Sequence, residues 1–130
     1  MILINSYIAK EVVSRVVIPN HSRYEKMFAE LKKQHPIDWG NFEKIVDTFC
    51  NQGWIVNPTI FRNENEDFYS IKTRTKRFYG YLVRGDKMLT FILLHEFKKQ
   101  DNKKERNDAV EICKQRLTEL GDDLEEIRRN

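Results

Sequence analysis

Apolar positions along this chain repeat with two different periods, and the change between them falls near Trp54. Before it, Tyr24, Met27, Phe28 and Leu31 follow one another at helical spacing and share one face. Ser22 with Glu25 three residues on makes a capping box, so a helix is expected to open at Ser22. Pro36 divides it from a second helix capped by Asp38, with the stripe Phe42, Ile45, Val46, Phe49 and Cys50 and with Gly53 as its stop. So short a connection predicts an antiparallel helical hairpin. Ahead of the hairpin, Val12-Val13 and Val16-Val17-Ile18 are β-branched and Pro19 ends the run. A strand ending near Ile18 is expected there. The residues before it carry no readable period.

After Trp54 the period is two. Short strands are expected over Thr59–Arg62, Phe68–Arg74 and Lys76–Arg84, with a turn from Asn63 to Asp67. Arg84-Gly85-Asp86-Lys87 turns the chain into a further strand, Met88–Leu94. Its unbroken apolar run suits a central position in a sheet. A last helix is expected from Asn102 or Lys103, with Asn102 and Glu105 as cap and N3. Its face is Ala109, Ile112, Cys113, Arg116, Leu117 and Leu120, and Gly121 stops it. The acidic segment after Gly121 frays or adds a turn. The order is strand, two helices, antiparallel meander, helix, which predicts an α+β domain with helices packed on a small sheet.

Composition narrows the class. A chain of 130 residues with 40% hydrophobic content fits one domain over residues 1–130 with one core. No stretch approaches the roughly 18 apolar residues of a membrane span. The first residues lack a signal peptide's basic segment and long apolar core, so a cytoplasmic protein with no membrane partner is expected. Cys50 and Cys113 sit at apolar helical positions and read as buried free thiols.

Charge changes the picture more. The net charge is +3, but residues 72–104 alone carry +7, residues 1–71 carry −1 and residues 105–130 carry −3. Such a block either attracts phosphates at long range or is simply a solvated face. No metal site is expected, because His21, His35 and His95 lie far apart and no Cys or His pair has ligand spacing. No glycine-rich phosphate loop or serine elbow is present, and no cofactor is expected.

Alternation puts Lys72 and Arg74 on one side of their strand, and Arg77, Tyr79 and Tyr81 on one side of the next. With Phe78 and Leu82 facing the core, Arg77 and Tyr79 are expected to face outward beside Lys72 and Arg74. Gly80, on the inner face, leaves room for a helix to approach. Cations that hold phosphates and a tyrosine on which a base stacks make an RNA surface. Tyrosine, lysine or histidine can also move protons while arginine stabilises a phosphoryl transition state. The plainer reading makes Tyr79 and Tyr81 cross-strand packing partners and His95 a buried, hydrogen-bonded histidine.

Three segments carry a resemblance. Phe68-Tyr69-Ser70-Ile71-Lys72, Lys76-Arg77-Phe78-Tyr79-Gly80-Tyr81 and Leu93-Leu94-His95-Glu96-Phe97-Lys98-Lys99 stand in the order of motifs of the phage-derived RelE/HigB-like toxins, and Ala109 falls where their last helix carries alanine. About half the chain resembles that family. The resemblance implies a small antiparallel sheet with an N-terminal helical hairpin and a C-terminal helix. It implies a toxin of a type II toxin–antitoxin pair that cleaves mRNA on the ribosome. Its partners would be mRNA, the ribosome and a cognate antitoxin, often a helix-turn-helix protein. Lys72, Arg77, His95, Lys98 and Lys99 match the family by position. With Tyr79, Arg74 and Arg84 from the same basic meander, Arg77, Tyr79 and His95 become the catalytic candidates, and Lys72, Arg74, Arg84, Lys98 and Lys99 the RNA-binding ones. A gyrase inhibitor of ParE type and a non-catalytic binding module are the alternatives.

Overall fold

A computed structural model describes residues 1–9, 12–98 and 102–129. Two strands open the chain, β1 (Ile2–Ala9) and β2 (Val12–Ile18), and two helices follow, α1 (Ser22–Gln34) and α2 (Pro36–Gln52). Then come β3 (Phe61–Asn65), β4 (Phe68–Lys72), β5 (Lys76–Arg84) and β6 (Met88–Lys98), and finally α3 (Lys103–Glu119) and α4 (Asp122–Arg128). The fold is mixed α+β, with six strands in the order β1-β2-β6-β5-β4-β3. Neighbours are antiparallel except β2 and β6, which run parallel. Two features thus differ from expectation. The helical hairpin is not N-terminal, because β1 and β2 precede it, and the sheet is not wholly antiparallel. No described helix is long and apolar enough to cross a membrane.

Helix starts also depart in detail. Ser22 lies inside α1 rather than before it, so the capping box does not form; His21 is the cap, and its Nδ1 accepts from the Arg23 amide at 3.0 Å. Likewise α2 begins at Pro36, which needs no partner for a missing N–H, and His35 alone links the two helices. Asp38 is therefore no cap. It is 4% exposed and accepts from Thr73 Oγ1 at 2.6 Å, Thr75 N at 2.7 Å and Thr75 Oγ1 at 2.7 Å. Burial pushes its carboxyl pKa up, but these bonds and nearby His35 outweigh burial and hold it below its ordinary value. The clasp pins the start of α2 to the β4–β5 turn. It also explains why β4 stops at Lys72 rather than Arg74, since Thr73 turns away to Asp38. Strand β3 starts at Phe61, because the Asn57 side chain holds the Thr59 amide in a turn.

The sheet has two buried faces. On the first, Tyr24, Phe28 and Leu31 of α1 and Phe42, Val46, Phe49 and Cys50 of α2 pack on Phe78, Leu82, Phe91 and Leu93. On the second, Ala109, Val110 and Cys113 of α3 and Leu124 and Ile127 of α4 pack on Phe68, Tyr79, Val83, Ile92 and Leu94. The acidic segment after Gly121 thus forms a helix whose apolar side helps close this face. Both cysteines are buried free thiols, and burial pushes each up to about 12.

Gly80 faces the first core, but what approaches it is a strand side chain, not a helix. A Cβ there would come within 2.5 Å of Phe91 Cζ and would strike the Ile92 carbonyl. Gly80→Ala is expected to cost about 3 kcal/mol through overpacking. Urea unfolding checks this, and an unchanged midpoint contradicts the close approach.

Candidate functional site

The three catalytic candidates do converge. β4 and β5 pair Lys72 with Arg77 and Ser70 with Tyr79, while β5 and β6 pair Tyr79 with His95. Directly opposed residues project to one face of an antiparallel pair, so these side chains form one polar row. That face is the second one, under α3. Arg77 and Tyr79 are therefore interior, 3% and 2% exposed, and not outward as alternation implied. Alternation tells two sides of a strand apart but not which side is wet, and here both are covered.

Burying a guanidinium requires a counter-charge, and Glu64 supplies it. Glu64 Oε1 accepts from Ser70 Oγ at 2.6 Å and Arg62 Nε at 3.0 Å, and lies 3.9 Å from Arg77 Nη1. Arg77 Nη1 in turn donates to Ser70 Oγ at 3.2 Å. One carboxylate thus stands between two guanidiniums, which leaves the group net positive. Burial pushes the Tyr79 hydroxyl up to about 12; Glu64 adds to this, and Arg77, Arg62 and Arg106 oppose it.

His95 lies inside β6, which runs on to Lys98, and beside an irregularity in the ladder. Gly80 pairs with Leu93 but Tyr79 with His95, so Leu94 is an extra residue on β6. Arg116 of α3 occupies this bulge: its Nη1 donates to the Leu94 carbonyl at 2.6 Å and lies 3.2 Å from His95 Nδ1. Arginine can only donate, so Nδ1 accepts and the neutral ring keeps its proton on Nε2. Burial first, and Arg116 second, lower the His95 pKa from 6.5 to about 4. Its ring centroid is 6.5 Å from that of Tyr79.

The RNA-binding candidates scatter. Lys72 is half-buried beside the row, and Arg74 is exposed in the β4–β5 turn. Arg84 lies seven residues along β5 from Arg77, about 23 Å at strand spacing. There it contacts Asp67 at 3.7 Å and the Trp54 ring at 5.4 Å. Lys98 ends β6 with its side chain outside the described residues, and Lys99 lies outside them altogether.

Four residues of the site escaped the sequence reading. Glu64 lies in the segment read as a turn and Arg62 just before it. In the structure Glu64 is the extra residue where the β3–β4 ladder slips between Asn63 and Asn65, which no local period announces. Ser70 was hidden among aromatics. Arg116 carried the clearest signal, as the lone cation in the apolar stripe of the last helix. No family model, no curated protein and no solved structure matches this chain.

The depressed His95 pKa makes stability depend on pH. Between about 6.5 and 4 an unfolded His95 binds a proton that the folded one does not, so acid favours unfolding. The contribution is fully present above pH 6.5 and is lost toward pH 4, up to roughly 3 kcal/mol. Urea midpoints from pH 7 to 4 are expected to fall less steeply in His95→Gln than in the parent. Parallel profiles would contradict a buried neutral imidazole.

Proposed function

We propose that this chain is an RNA-directed toxin of RelE/HigB-like organisation, with an endoribonuclease centre at Arg77, Tyr79 and His95. The observation that carries the reading is the register that sets Lys72 opposite Arg77 and Tyr79 opposite His95. It draws together, on one face, the residues that the motif order selects. The strand–hairpin–meander–helix order from β2 to α3 also supports it.

The chemistry is attack of a ribose 2′-OH, losing its proton to a base, on the adjacent phosphate. This forms a 2′,3′-cyclic phosphate, breaks the P–O5′ bond and releases the downstream 5′-oxygen as a hydroxyl once it takes up a proton. Arg77 stabilises the charge that builds on the phosphoryl oxygens, and its attachment to Ser70 and Glu64 fixes its aim in advance. Tyr79 and His95, paired across β5 and β6, are the candidates for proton transfer. Lys72, Arg74 and the basic end of β6 hold the strand. Arg77 is 3% exposed, so a phosphate reaches it only when its cover opens. An antitoxin with an acidic segment is the natural partner for a block of charge +7.

One observation favours a second, non-catalytic reading, in which the face binds gyrase or nucleic acid without cleaving. With Tyr79 near 12 and His95 near 4, neither group exchanges protons readily at neutral pH in the closed form.

Induced expression separates the readings. The expected result is rapid translation arrest with cleaved mRNA, reduced roughly 100-fold in cleavage rate by Arg77→Lys, which keeps the charge and loses the fork. DNA damage with intact mRNA would move the assignment to gyrase. Normal growth from a folded, expressed chain would overturn toxicity altogether.

A further inference from the structure

A cleft of about 320 Å³ opens beside His95 and Glu96 of β6, with neither Arg77 nor Glu64 among its lining residues. Arg116 and His95 line it from α3 and β6, and Arg23 and Lys26 line it from α1. Arg116 also lines a smaller cleft of about 120 Å³ toward α4, and Arg23 is common to both.

Charge in this cleft is unbalanced. The hydrogen-bond partners of Arg116 are a carbonyl and a neutral imidazole. Among the described residues no carboxylate lies within ion-pair distance of it, and its Nε and Nη2 make no hydrogen bond. A half-buried guanidinium with only neutral partners retains its full charge, and the unused edge of its fork suits an oxyanion. Lys26 likewise has no ion pair among the described residues. Arg23 meets Glu119 at 3.4 Å, but both side chains are about one third or more exposed, so that pair is weak. Of the acidic side chains at the cleft, Glu96 is already held by Lys76 at 2.8 Å. Glu30, exposed on α1, is the remaining one.

The cleft is shallow and open to solvent, yet wider than a lone phosphate needs. Met27 and the His95 ring supply apolar and planar surface next to the cations. We propose that this cleft is a nucleotide-phosphate site, in which Arg116 grips the phosphate from the floor, Arg23 and Lys26 close over it, and Met27 and His95 receive the sugar or base. The ligand is a nucleoside phosphate, either free or as one unit of an RNA strand. The site stands without the roles given to Arg77 and Tyr79.

Binding of 5′-AMP and of a fluorescein-labelled single-stranded 12-nucleotide RNA to the full chain tests this. Arg116→Ala disturbs the β6 bulge, so the informative variants are the rim substitutions Arg23→Glu and Lys26→Glu, with melting curves as the folding control. For RNA, the double variant is expected to lose at least ~10-fold in affinity and about 1.4 in salt slope, the value for two phosphate contacts on a single strand. AMP is expected to shift the His95 ring resonances of the parent chain. Rim-dependent RNA binding assigns the site to a strand; rim-dependent AMP binding without RNA binding assigns it to a free nucleotide. If the folded rim variants bind both probes as the parent does, or the parent binds neither, the proposal is overturned. Loss of toxicity with rim-dependent binding intact would instead count against the toxin reading alone.

Discussion

The pairing of β2 with β6 decides which side chains of this protein are interior. It makes β6 a central strand, flanked by β2 on one side and β5 on the other. The chain leaving β2 crosses one face as α1 and α2, and the chain leaving β6 returns over the other as α3 and α4. A strand covered on both faces must be apolar on both, and the run Phe91-Ile92-Leu93-Leu94 satisfies this, each residue at most 1% exposed. The same coverage imposes a problem on β4 and β5. Their polar row, Ser70, Arg77 and Tyr79, is enclosed along with the apolar residues, and Glu64 on β3 is what makes that enclosure tolerable.

Much of this frame was legible from periodicity. The end of β2 at Ile18, the αα-hairpin, the span of β5, the start of β6 and the Asn102 cap all follow from local patterns. Local signals fail where a distant partner decides the outcome. Asp38 has the composition of a cap, but Thr73 and Thr75 claim it from 35 and 37 residues away. Strand β1 has no local turn or period to announce it and is defined by its register with β2. The site follows the same division. Motif order brought Lys72, Arg77, Tyr79 and His95 together, and the ladder pairs them. Arg77 and Tyr79 are covered rather than outward, because their cover comes from much later in the chain, whereas His95 is part-buried and hydrogen-bonded as the plainer reading has it. Arg62, Glu64 and Ser70 became visible only through their contacts, while Arg116 stands out as the lone cation of an apolar helical stripe.

Two arginines divide the polar chemistry. Arg77 is buried against Glu64, a carboxylate it shares with Arg62; Arg116 is held by neutral atoms at the base of a cleft. Under the proposed function the first belongs to a covered reaction centre and the second to a surface an RNA strand can reach without any rearrangement. Tyr79 and His95 lie between them, both neutral while α3 is seated. Under the same proposal, reactivity depends on opening of the covered face.

The docking of α3 is therefore what most needs measuring, and Cys113 reports on it directly. Its thiol is fully buried between α3 and the sheet. In a Cys50→Ala chain, a thiol reagent under native conditions is expected to label Cys113 at least ~100-fold more slowly than in denaturant, at a rate set by opening of the helix. Labelling as fast in the native chain as in the denatured one would show that the second face stands open, and would contradict the account.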